Sequence, residues 1–210
     1  MKLKIDLHVH STSSGDAFVD PEQLPTILRS KGIDGVAITD HDTFTSLTIS
    51  EAIVLPGIEV STREGHMLGI GVSSTIPKGR HADETISLIR QAGGIAIIPH
   101  PFDPVSPCVN PSKLKSRPDA IEVINSDALL FRLNSRLARR AAERLNLPMV
   151  GGSDSHIPET VGDAYTLIDS KSEHIHDILN AIKAGFVEPA GCPSSPAKKL
   201  LKIARTLRNL

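Results

Sequence analysis

Aromatic side chains are scarce in this chain. It contains no tryptophan and one tyrosine, and aromatic residues make up 3% of its 210 residues. Proteins dedicated to single-stranded nucleic acid stack the bases on aromatic rings. The composition therefore argues against a dedicated single-strand binding protein.

Cysteine, net charge and long apolar runs are also lacking. Cys108 and Cys192 have no CxxC or CxH spacing, which argues against a disulfide framework and against a thiolate zinc site. The formal net charge of -1 gives no overall attraction to nucleic acid or to an anionic membrane. No apolar run approaches the roughly 20 residues that span a bilayer, and the start MKLKIDLHVH lacks the apolar stretch of a signal peptide. We therefore expect a cytoplasmic protein with no membrane partner.

Short runs rich in isoleucine and valine alternate with helix-like segments over most of the chain. Several runs are continuously apolar, as in strands that are covered on both faces. The alternation predicts an α/β fold whose mostly parallel sheet is either open or closed into a barrel. The predicted strands are 3–9, 35–39, 53–60, 67–72, 94–99, 120–124, 148–151 and 164–168, and the predicted helices are 21–31, 83–91, 129–145, 174–184 and 197–209.

The composition and the turn residues predict one main domain. Hydrophobic residues make up 40% and charged residues 22%, as in a globular protein with a core of its own. Gly191 and four prolines or serines in a row make 191–196 a hinge candidate. We therefore expect a domain at 1–190 and a helical appendage at 191–210.

The motif DLHVH at the end of the first predicted strand places two histidines on one face. Residues two apart on a strand point the same way, so His8 and His10 can bind one ion together. Histidine is the commonest metal ligand in proteins. Taken alone, the HxH spacing is also compatible with a surface coincidence.

The same kind of residue recurs at the boundaries of other predicted strands. Six of the nine histidines lie there, and five of these are at or near a carboxyl-terminal end, which is the face that carries the active site in parallel α/β folds. The residues concerned are His8, His10, Asp40, His41, Asp42, Glu59, His66, His100, Asp154 and His156.

Each of these residues also has a structural explanation. His41 can cap a helix, Glu59 can pair with Arg63, and His100 can be a buried turn residue before Pro101. Taken together, however, the polar groups would converge without a counter-charge, and burial without a partner costs a few kcal/mol for each group. A metal cluster removes that cost. His81, His174 and His176 lie on predicted helices, outside the pattern, and we expect them to be solvated.

The ordered set of motifs resembles the PHP family, which is named for polymerase and histidinol phosphatase. The matching stretches are DLHVHS at 6–11, ITDHDT at 38–43, PGIEVST at 56–62, His66, IPHP at 98–101 and GGSDSH at 151–156. They cover roughly residues 3–165, and the form ITDHDT in a compact chain is similar to that of the small nucleotide and oligonucleotide phosphoesterases. The resemblance implies a distorted (β/α)7 TIM-like barrel with up to three ions at its carboxyl-terminal face and a PHP hydrolase domain at 1–190.

The resemblance also implies a ligand set. A first ion would be held by His8, His10, Glu59 and Asp154, a second by Glu59, His66 and His100, and a third by Asp16, His41 and His156. Glu59, Asp154 and His156 are then the candidate catalytic residues. Mixed imidazole and carboxylate ligands suit Mn²⁺, Zn²⁺ or Fe²⁺, and the oxygen donor Asp16 makes Mg²⁺ possible at the third site. Asp6, Asp40 and Asp42 are candidates either to orient imidazoles or to cap turns.

The expected reaction is hydrolysis of a phosphate mono- or diester. We expect a small phosphorylated substrate, such as a nucleotide or short oligonucleotide, and no obligate protein partner. Arg63, Asn125 and Arg132 are the candidate substrate contacts, because phosphate esters need cationic or amide groups. Two alternatives stay open: hydrolysis of a C–N or other non-phosphate bond by the same metals, and a non-catalytic metal-stabilised module that serves a nucleic-acid partner.

The tail SPAKKLLKIARTLRNL carries five basic residues and no acidic one. As a helix, it places Leu200, Ile203 and Leu207 on one stripe and Lys198, Lys202 and Arg205 on another face. The favoured interpretation is a terminal helix that packs on the barrel with its charged side in water. The alternative is an anion-binding arm for nucleic acid or membrane.

Overall fold

The computed structural model describes residues 1–49 and 51–208, which form nine β-strands and five α-helices. All eight predicted strands are present, to within two residues at each end. The strands are β1 (Lys2–Val9), β2 (Gly35–Ile38), β3 (Ile53–Ser61), β4 (His66–Ile70), β5 (Ile95–Ile98), β6 (Ala120–Asn125), β7 (Met149–Gly152), β8 (Ala164–Asp169) and β9 (Val187–Gly191). The helices are α1 (Leu24–Lys31), α2 (Ala82–Gln91), α3 (Phe131–Leu145), α4 (Ile175–Ala184) and α5 (Pro196–Arg208).

The strands form one sheet in the order β7-β6-β5-β4-β3-β2-β1-β8-β9. Pairs β1–β2, β2–β3, β5–β6 and β6–β7 are parallel, whereas β3–β4, β4–β5, β1–β8 and β8–β9 are antiparallel. The expectation of a mostly parallel sheet was therefore wrong for half of the pairs. Strand β4 is reversed because the short turn at 62–65 joins it to β3 as a hairpin.

Strands β1 to β7 close into the TIM-like barrel that the resemblance implied. Residues after β7 reach the end of β1, where His10 N donates to Ser155 O over 2.9 Å and Asp154 N donates to His8 O over 2.8 Å. Strand β8 pairs instead with the first half of β1, and β9 continues the sheet beyond the barrel. The sequence of β9, VEPAG, has a proline and a glycine, which are poor strand formers, so the sequence analysis missed it.

Helices cover the outside of the barrel with apolar faces. Ile86 and Ile89 of α2 pack in one core cluster with Ile58 of β3, and Ile178 of α4 packs in another with Ile5 of β1. All five of these side chains are fully buried. The apolar strands and helix faces therefore form the core, and the polar residues at the ends of the strands take no part in it.

Helix α5 packs on the carboxyl-terminal end of the barrel, but with the opposite face to the one expected. Leu200, Ile203 and Leu207 are 66%, 55% and 66% exposed, while Lys198 and Arg205 point at the barrel and form ion pairs. The prediction that the charged side lies in water was wrong, because acidic residues on the barrel attract it.

The predicted end of this helix at residue 209 lies outside the described residues. None of the helices within 1–49 and 51–208 combines the length and the apolarity needed to span a bilayer.

Candidate metal centre

The side chains of His8 and His10 lie side by side, where β1 reaches the carboxyl-terminal end of the barrel. Both residues are completely buried. Their Nε2 atoms are 3.2 Å apart, and two neutral imidazole nitrogens can both be satisfied at that distance only if one of them carries a proton or a cation lies between them.

The carboxylate of Glu59 on β3 is the centre of the cluster. Glu59 is 1% exposed, and five imidazoles surround it. If all five imidazoles were protonated, this single carboxylate could not neutralise their charge. The nitrogen–oxygen distances are 3.0 Å to Nδ1 of His41, 3.0 Å to Nδ1 of His66, 3.1 Å to Nε2 of His100, 3.3 Å to Nε2 of His10 and 3.5 Å to Nε2 of His8.

His66 reaches this cluster although it opens its strand. Because β4 runs antiparallel to β3, its first residue lies at the same end of the barrel as the last residues of the parallel strands. His66 pairs in the ladder with Ser61, two residues after Glu59. The reversal of one strand therefore explains the one histidine whose sequence position did not fit the pattern.

His100 and Asp154 are held in an unusual backbone conformation. They follow β5 and β7, and their φ angles are 29° and 55°. Non-glycine residues in this left-handed region cost on the order of 1–3 kcal/mol, and such strain concentrates at functional sites. It aims the Asp154 carboxylate inward, with Oδ1 3.3 Å from Nε2 of His10 and 3.5 Å from Nε2 of His8.

Asp16 and His156 form the outer part of the cluster. Oδ2 of Asp16 lies 3.4 Å from Nε2 of His156 and 3.7 Å from Nε2 of His41. The Asp16 side chain is 48% exposed, which makes it the most accessible of the nine candidate ligands. The structure thus brings all nine of them to one end of the barrel, including residues almost 150 positions apart.

The buried charges change the pKa values of several groups. Burial by itself would raise the pKa of Glu59, but His8 and the hydrogen bonds from His100, His41 and His66 outweigh it and hold that pKa well below its usual range. Burial would lower the pKa of His8, but the carboxylates of Asp154, Glu122 and Glu59 outweigh it and raise that pKa well above the usual value. Without bound ions, protons on imidazoles therefore balance these carboxylates.

His10 and Asp16 have pKa values shifted downward. Burial and the neighbouring His156 lower the pKa of His10 to about 4, against the opposing effect of Asp154 and Glu59. The pKa of Asp16 is lowered to about 2, because the hydrogen bond and charge of His156 and the charge of His41 outweigh its partial burial. His10 is therefore neutral near pH 7, which is the form that binds a metal.

Glu122 on β6 holds two of the candidate ligands in place, a role that the sequence analysis did not assign. It is 2% exposed, and its Oε1 lies 3.1 Å from Nδ1 of His8 while its Oε2 accepts the backbone N–H of His100 over 2.9 Å. A carboxylate behind a ligand imidazole fixes its tautomer and ring orientation. The hint in the sequence was an acidic residue inside a strand that is otherwise apolar.

Asn125 supports the same group of residues from the end of β6. Its Nδ2 donates to Glu122 over 2.8 Å and to Asp154 over 3.2 Å, and its Oδ1 accepts from the N–H groups of Asp127 and Ala128. The side-chain amide is thus fully engaged with protein groups. This geometry fits a positioning residue better than the substrate contact expected from the sequence.

Asp6, Asp40 and Asp42 bind backbone amides and hydroxyls rather than imidazoles. Asp6 accepts from Ser153 N and Gly162 N, both over 2.8 Å. Burial raises the pKa of Asp6 to about 7, although these hydrogen bonds oppose the shift. Asp40 accepts from both the N–H and the hydroxyl of Ser11, and Asp42 from those of Ser61. The three carboxylates fix the turns that carry the ligands.

The two arginines expected to contact substrate are exposed. Arg63 follows β3, and its Nε donates to Gly79 O over 3.0 Å while its Nη1 lies 3.2 Å from Nε2 of His81. Arg132 lies in the first turn of α3, at the carboxyl-terminal end of the barrel. Both remain candidates by position. Of the other histidines, His174 and His176 are exposed as expected, while the exposed His81 pairs with Glu64.

The donor atoms are spaced as ligands of shared ions are. Ligand atoms about 2.1 Å from a tetrahedral ion lie about 3.4 Å from one another, and the distances from Glu59 to its five imidazoles are 3.0–3.5 Å. In four overlapping groups, the ligand atoms all lie within 4.8 Å of one another: His8, His10 and Glu59; His8, His100 and Asp154; His41, Glu59 and His66; and His10, His41 and His156. The residues present therefore fit more than one divalent ion.

One family model and several known sequences are similar to parts of this chain. A family model described as PHP-associated matches residues 132–187. An uncharacterized protein of Methanocaldococcus jannaschii is 33% identical over 141 residues, 59% of this chain and 82% of that protein. A probable phosphatase of Shewanella oneidensis is 25% identical over 86% of this chain and 88% of its own length. Phosphoribosyl 1,2-cyclic phosphate 1,2-diphosphodiesterase of Eggerthella lenta is 38% identical over 34% of this chain and 32% of its own length.

Solved structures share the fold. A two-domain protein of Bacteroides vulgatus, which contains a predicted PHP-like metal-dependent phosphoesterase, matches with a TM-score of 0.73 and 18% identity over 98% of this chain and 70% of that one. Endonuclease Q in complex with a 27-mer duplex that has an abasic lesion at the active site matches with a TM-score of 0.66 and 19% identity over 92% of this chain and 60% of that one. At these identities the likeness concerns the fold.

Proposed function

The chain belongs to the PHP family of metal-dependent phosphoesterases, and we propose that it hydrolyses a phosphate mono- or diester at the metal centre. The observation that carries the proposal is the buried carboxylate of Glu59 within 3.5 Å of five imidazoles. No structural role needs so many buried groups without a counter-ion. The probable phosphatase and the cyclic phosphate diesterase among the relatives support the same class of reaction.

We propose that the nine candidate ligands hold two or three ions of Mn²⁺, Zn²⁺ or Fe²⁺, with Mg²⁺ possible at the outer site. Glu59 would contribute to two ions, because its Oε1 and Oε2 face different imidazoles. Bound ions of this kind activate water and neutralise the charge of phosphoryl oxygens. Glu122 and Asn125 keep His8 and Asp154 in position for them.

Glu59, Asp154 and His156 are the proposed catalytic residues. Asp154 is strained towards the centre of the cluster, and Nδ1 of His156 donates to the backbone O of Asp154 over 3.0 Å. The Nε2 of His156 therefore faces Asp16 and the outer, accessible side of the site. We propose that His156 binds an ion on this accessible side, from which the substrate would enter.

A nucleotide or short oligonucleotide is the proposed substrate. The likeness to endonuclease Q, whose structure holds DNA with an abasic lesion, supports a nucleic-acid fragment. The low aromatic content argues that such a substrate is held through its phosphates rather than by extensive base stacking. Arg63 and Arg132 are proposed contacts because both lie at the carboxyl-terminal end of the barrel.

Metal analysis followed by activity assays tests the proposal. We expect purified protein to contain divalent metal and to hydrolyse p-nitrophenyl phosphate or its bis ester. Activity should disappear with a chelator, return on adding Mn²⁺ and rise with pH through neutrality. Full activity after removal of the metal would overturn the proposal. Metal-dependent cleavage of amides, with no cleavage of any phosphate ester in a screen of phosphorylated metabolites, would favour C–N bond hydrolysis instead.

A further inference from the structure

Helix α5 packs against the two segments that flank the metal centre. Its basic residues bind the two loops that flank the candidate ligands. Lys199 donates to the backbone O of Asp127 over 2.6 Å, on the loop that follows β6, and Arg205 forms two hydrogen bonds of 2.7 and 2.8 Å with Glu159, three residues after His156. The helix therefore lies between the loop that follows Asn125 and the loop that carries His156.

Lys202 is the residue of this helix that hydrogen bonds link to the cluster. Its Nζ lies 2.8 Å from Oδ2 of Asp127, and Asp127 connects through Asn125 to Asp154. Burial would lower the pKa of Lys202, but the charges of Asp127, Asp154 and Asp16 outweigh it and raise that pKa. The negative charges of Asp154 and Asp16, two candidate metal ligands, therefore favour the protonated form of Lys202, although neither residue forms a hydrogen bond with it.

The ammonium group of Lys202 keeps capacity for a ligand. Its side chain is 26% exposed, and Asp127 is its one hydrogen-bond partner within 1–49 and 51–208. An ammonium has three N–H donors, so two remain free. Lys198, on the same face, differs from it: its Nζ pairs with Asp163 over 2.6 Å, on the loop before β8.

We infer that Lys202 contacts the phosphate group of the substrate at the rim of the metal centre, with α5 acting as the support that holds it there. The inference rests on the proposed function. A phosphate brings up to two negative charges to a site that already holds the carboxylates of Glu59, Asp154 and Asp16. A cation at the rim offsets the part of this negative charge that the metal ions do not neutralise. Charge-assisted hydrogen bonds to phosphate are also stronger than neutral ones. Lys202 would thus favour the more highly charged monoester over a diester.

Binding of inorganic phosphate to the manganese-loaded protein tests this role without turnover. We expect Lys202→Ala to weaken phosphate binding by about tenfold, as the loss of a charge-assisted hydrogen bond of about 1.4 kcal/mol would do, and Lys202→Arg to restore most of it. Lys198→Ala, which removes an equal charge from the same helix, should leave the affinity within about twofold. The kcat/KM for p-nitrophenyl phosphate should fall more than that for bis-p-nitrophenyl phosphate.

Asp127→Asn separates phosphate binding from a purely structural role. If Lys202 only anchors α5, breaking its pair from either side must have the same effect. If Lys202 binds phosphate, Asp127→Asn leaves the cation in place, and the affinity should stay equal or increase. Equal weakening by Lys202→Ala and Asp127→Asn would overturn the inference, as would wild-type protein that binds no phosphate. Phosphate binding that depends on Lys202 in a protein that cleaves no phosphate ester would instead refute the proposed function alone.

Discussion

Nδ1 of His8 lies 3.1 Å from Oε1 of Glu122, while Nε2 of the same ring faces Glu59 and Asp154. An N–H on Nδ1 that donates to Glu122 leaves Nε2 unprotonated and directed into the centre of the cluster. Glu122 therefore determines which nitrogen of His8 can bind an ion, although no ion would touch Glu122 itself.

Replacing Glu122 should weaken metal binding without removing a ligand. We expect Glu122→Ala to lower metal affinity or activity by about 10- to 100-fold, the usual effect of losing such a partner. Glu122→Gln should lose less, because an amide oxygen can still accept from Nδ1 of His8. Metal titration of the ion-free protein measures this. Glu143→Ala, on the exposed side of α3, is the control, and an equal effect of the two alanine variants would contradict the role of Glu122.

Replacing Glu59 and replacing Asp16 should remove different numbers of metal ions. Glu59→Ala should lose two ions and abolish turnover, because Glu59 contributes to two of the proposed sites. Asp16→Ala should disturb only the outer ion and reduce turnover partially, on the order of 10–100-fold. Metal content and turnover are best measured on the same preparations. If Asp16→Ala were as inactive as Glu59→Ala while keeping two ions per chain, the outer site would be the one that activates water.

Metal affinity should increase with pH. The pKa values of His8 and His100 lie well above the usual value. Neighbouring carboxylates outweigh the burial of His8, and the hydrogen bond with Cys108, together with Glu59 and Asp154, outweighs the burial of His100. An ion must displace these protons, so affinity rises as the pH passes upward through the raised pKa values. Calorimetric titration with Mn²⁺ at several pH values, in buffers of different ionisation enthalpy, should show proton release. Affinity that does not change with pH would count against protonated imidazoles in the ion-free protein.

The same pKa shifts predict that the stability of the ion-free protein decreases as the pH rises, whereas its metal affinity increases. A group whose pKa is raised on folding adds stability that is complete below its unfolded pKa, about 6.5 for histidine, and is lost as the pH rises through the folded value. His8 and His100 should therefore make the ion-free protein less stable as the pH rises above about 6.5. Urea unfolding of the chelated protein tests this, and His100→Ala should flatten the dependence. An unchanged slope in that variant would rule out His100 as a source of it.

Gly152 should be irreplaceable because of its closeness to His8. A Cβ atom at this position would lie 2.5 Å from Cβ of His8 and 2.7 Å from Oε1 of Glu122. Gly152→Ala should therefore displace the imidazole and reduce metal content. Gly93→Ala is the matched control: its φ of 86° makes alanine strained there, but no atom lies within 4 Å of the added Cβ. Gly93→Ala should lose stability and keep its metal, and full metal content in Gly152→Ala would contradict the expectation.

The family resemblance supplied the barrel and the candidate ligand Asp16. The sequence pattern by itself predicted eight of the nine described strands and placed the other eight candidate ligands at strand boundaries. These predictions succeeded because they depend on local patterns. A buried strand such as β2 or β5 is a short, continuously apolar run, and the residues that follow it lie at a known end of the sheet. His8 and His10 share a face because side chains alternate along any strand.

Tertiary structure alone decided the direction of β4, the partner of His8 and the orientation of α5. In each case the deciding group is distant in sequence: Glu122 is 114 residues from His8, and Asp127 is 75 residues from Lys202. The periodicity of α5 shows an apolar and a basic face, but it carries no information about the surface that the helix meets. That surface is acidic here, so ion pairs with Asp127, Asp163 and Glu159 turn the basic face inward. Long-range electrostatics between segments of this kind depend on distances that only the folded chain creates.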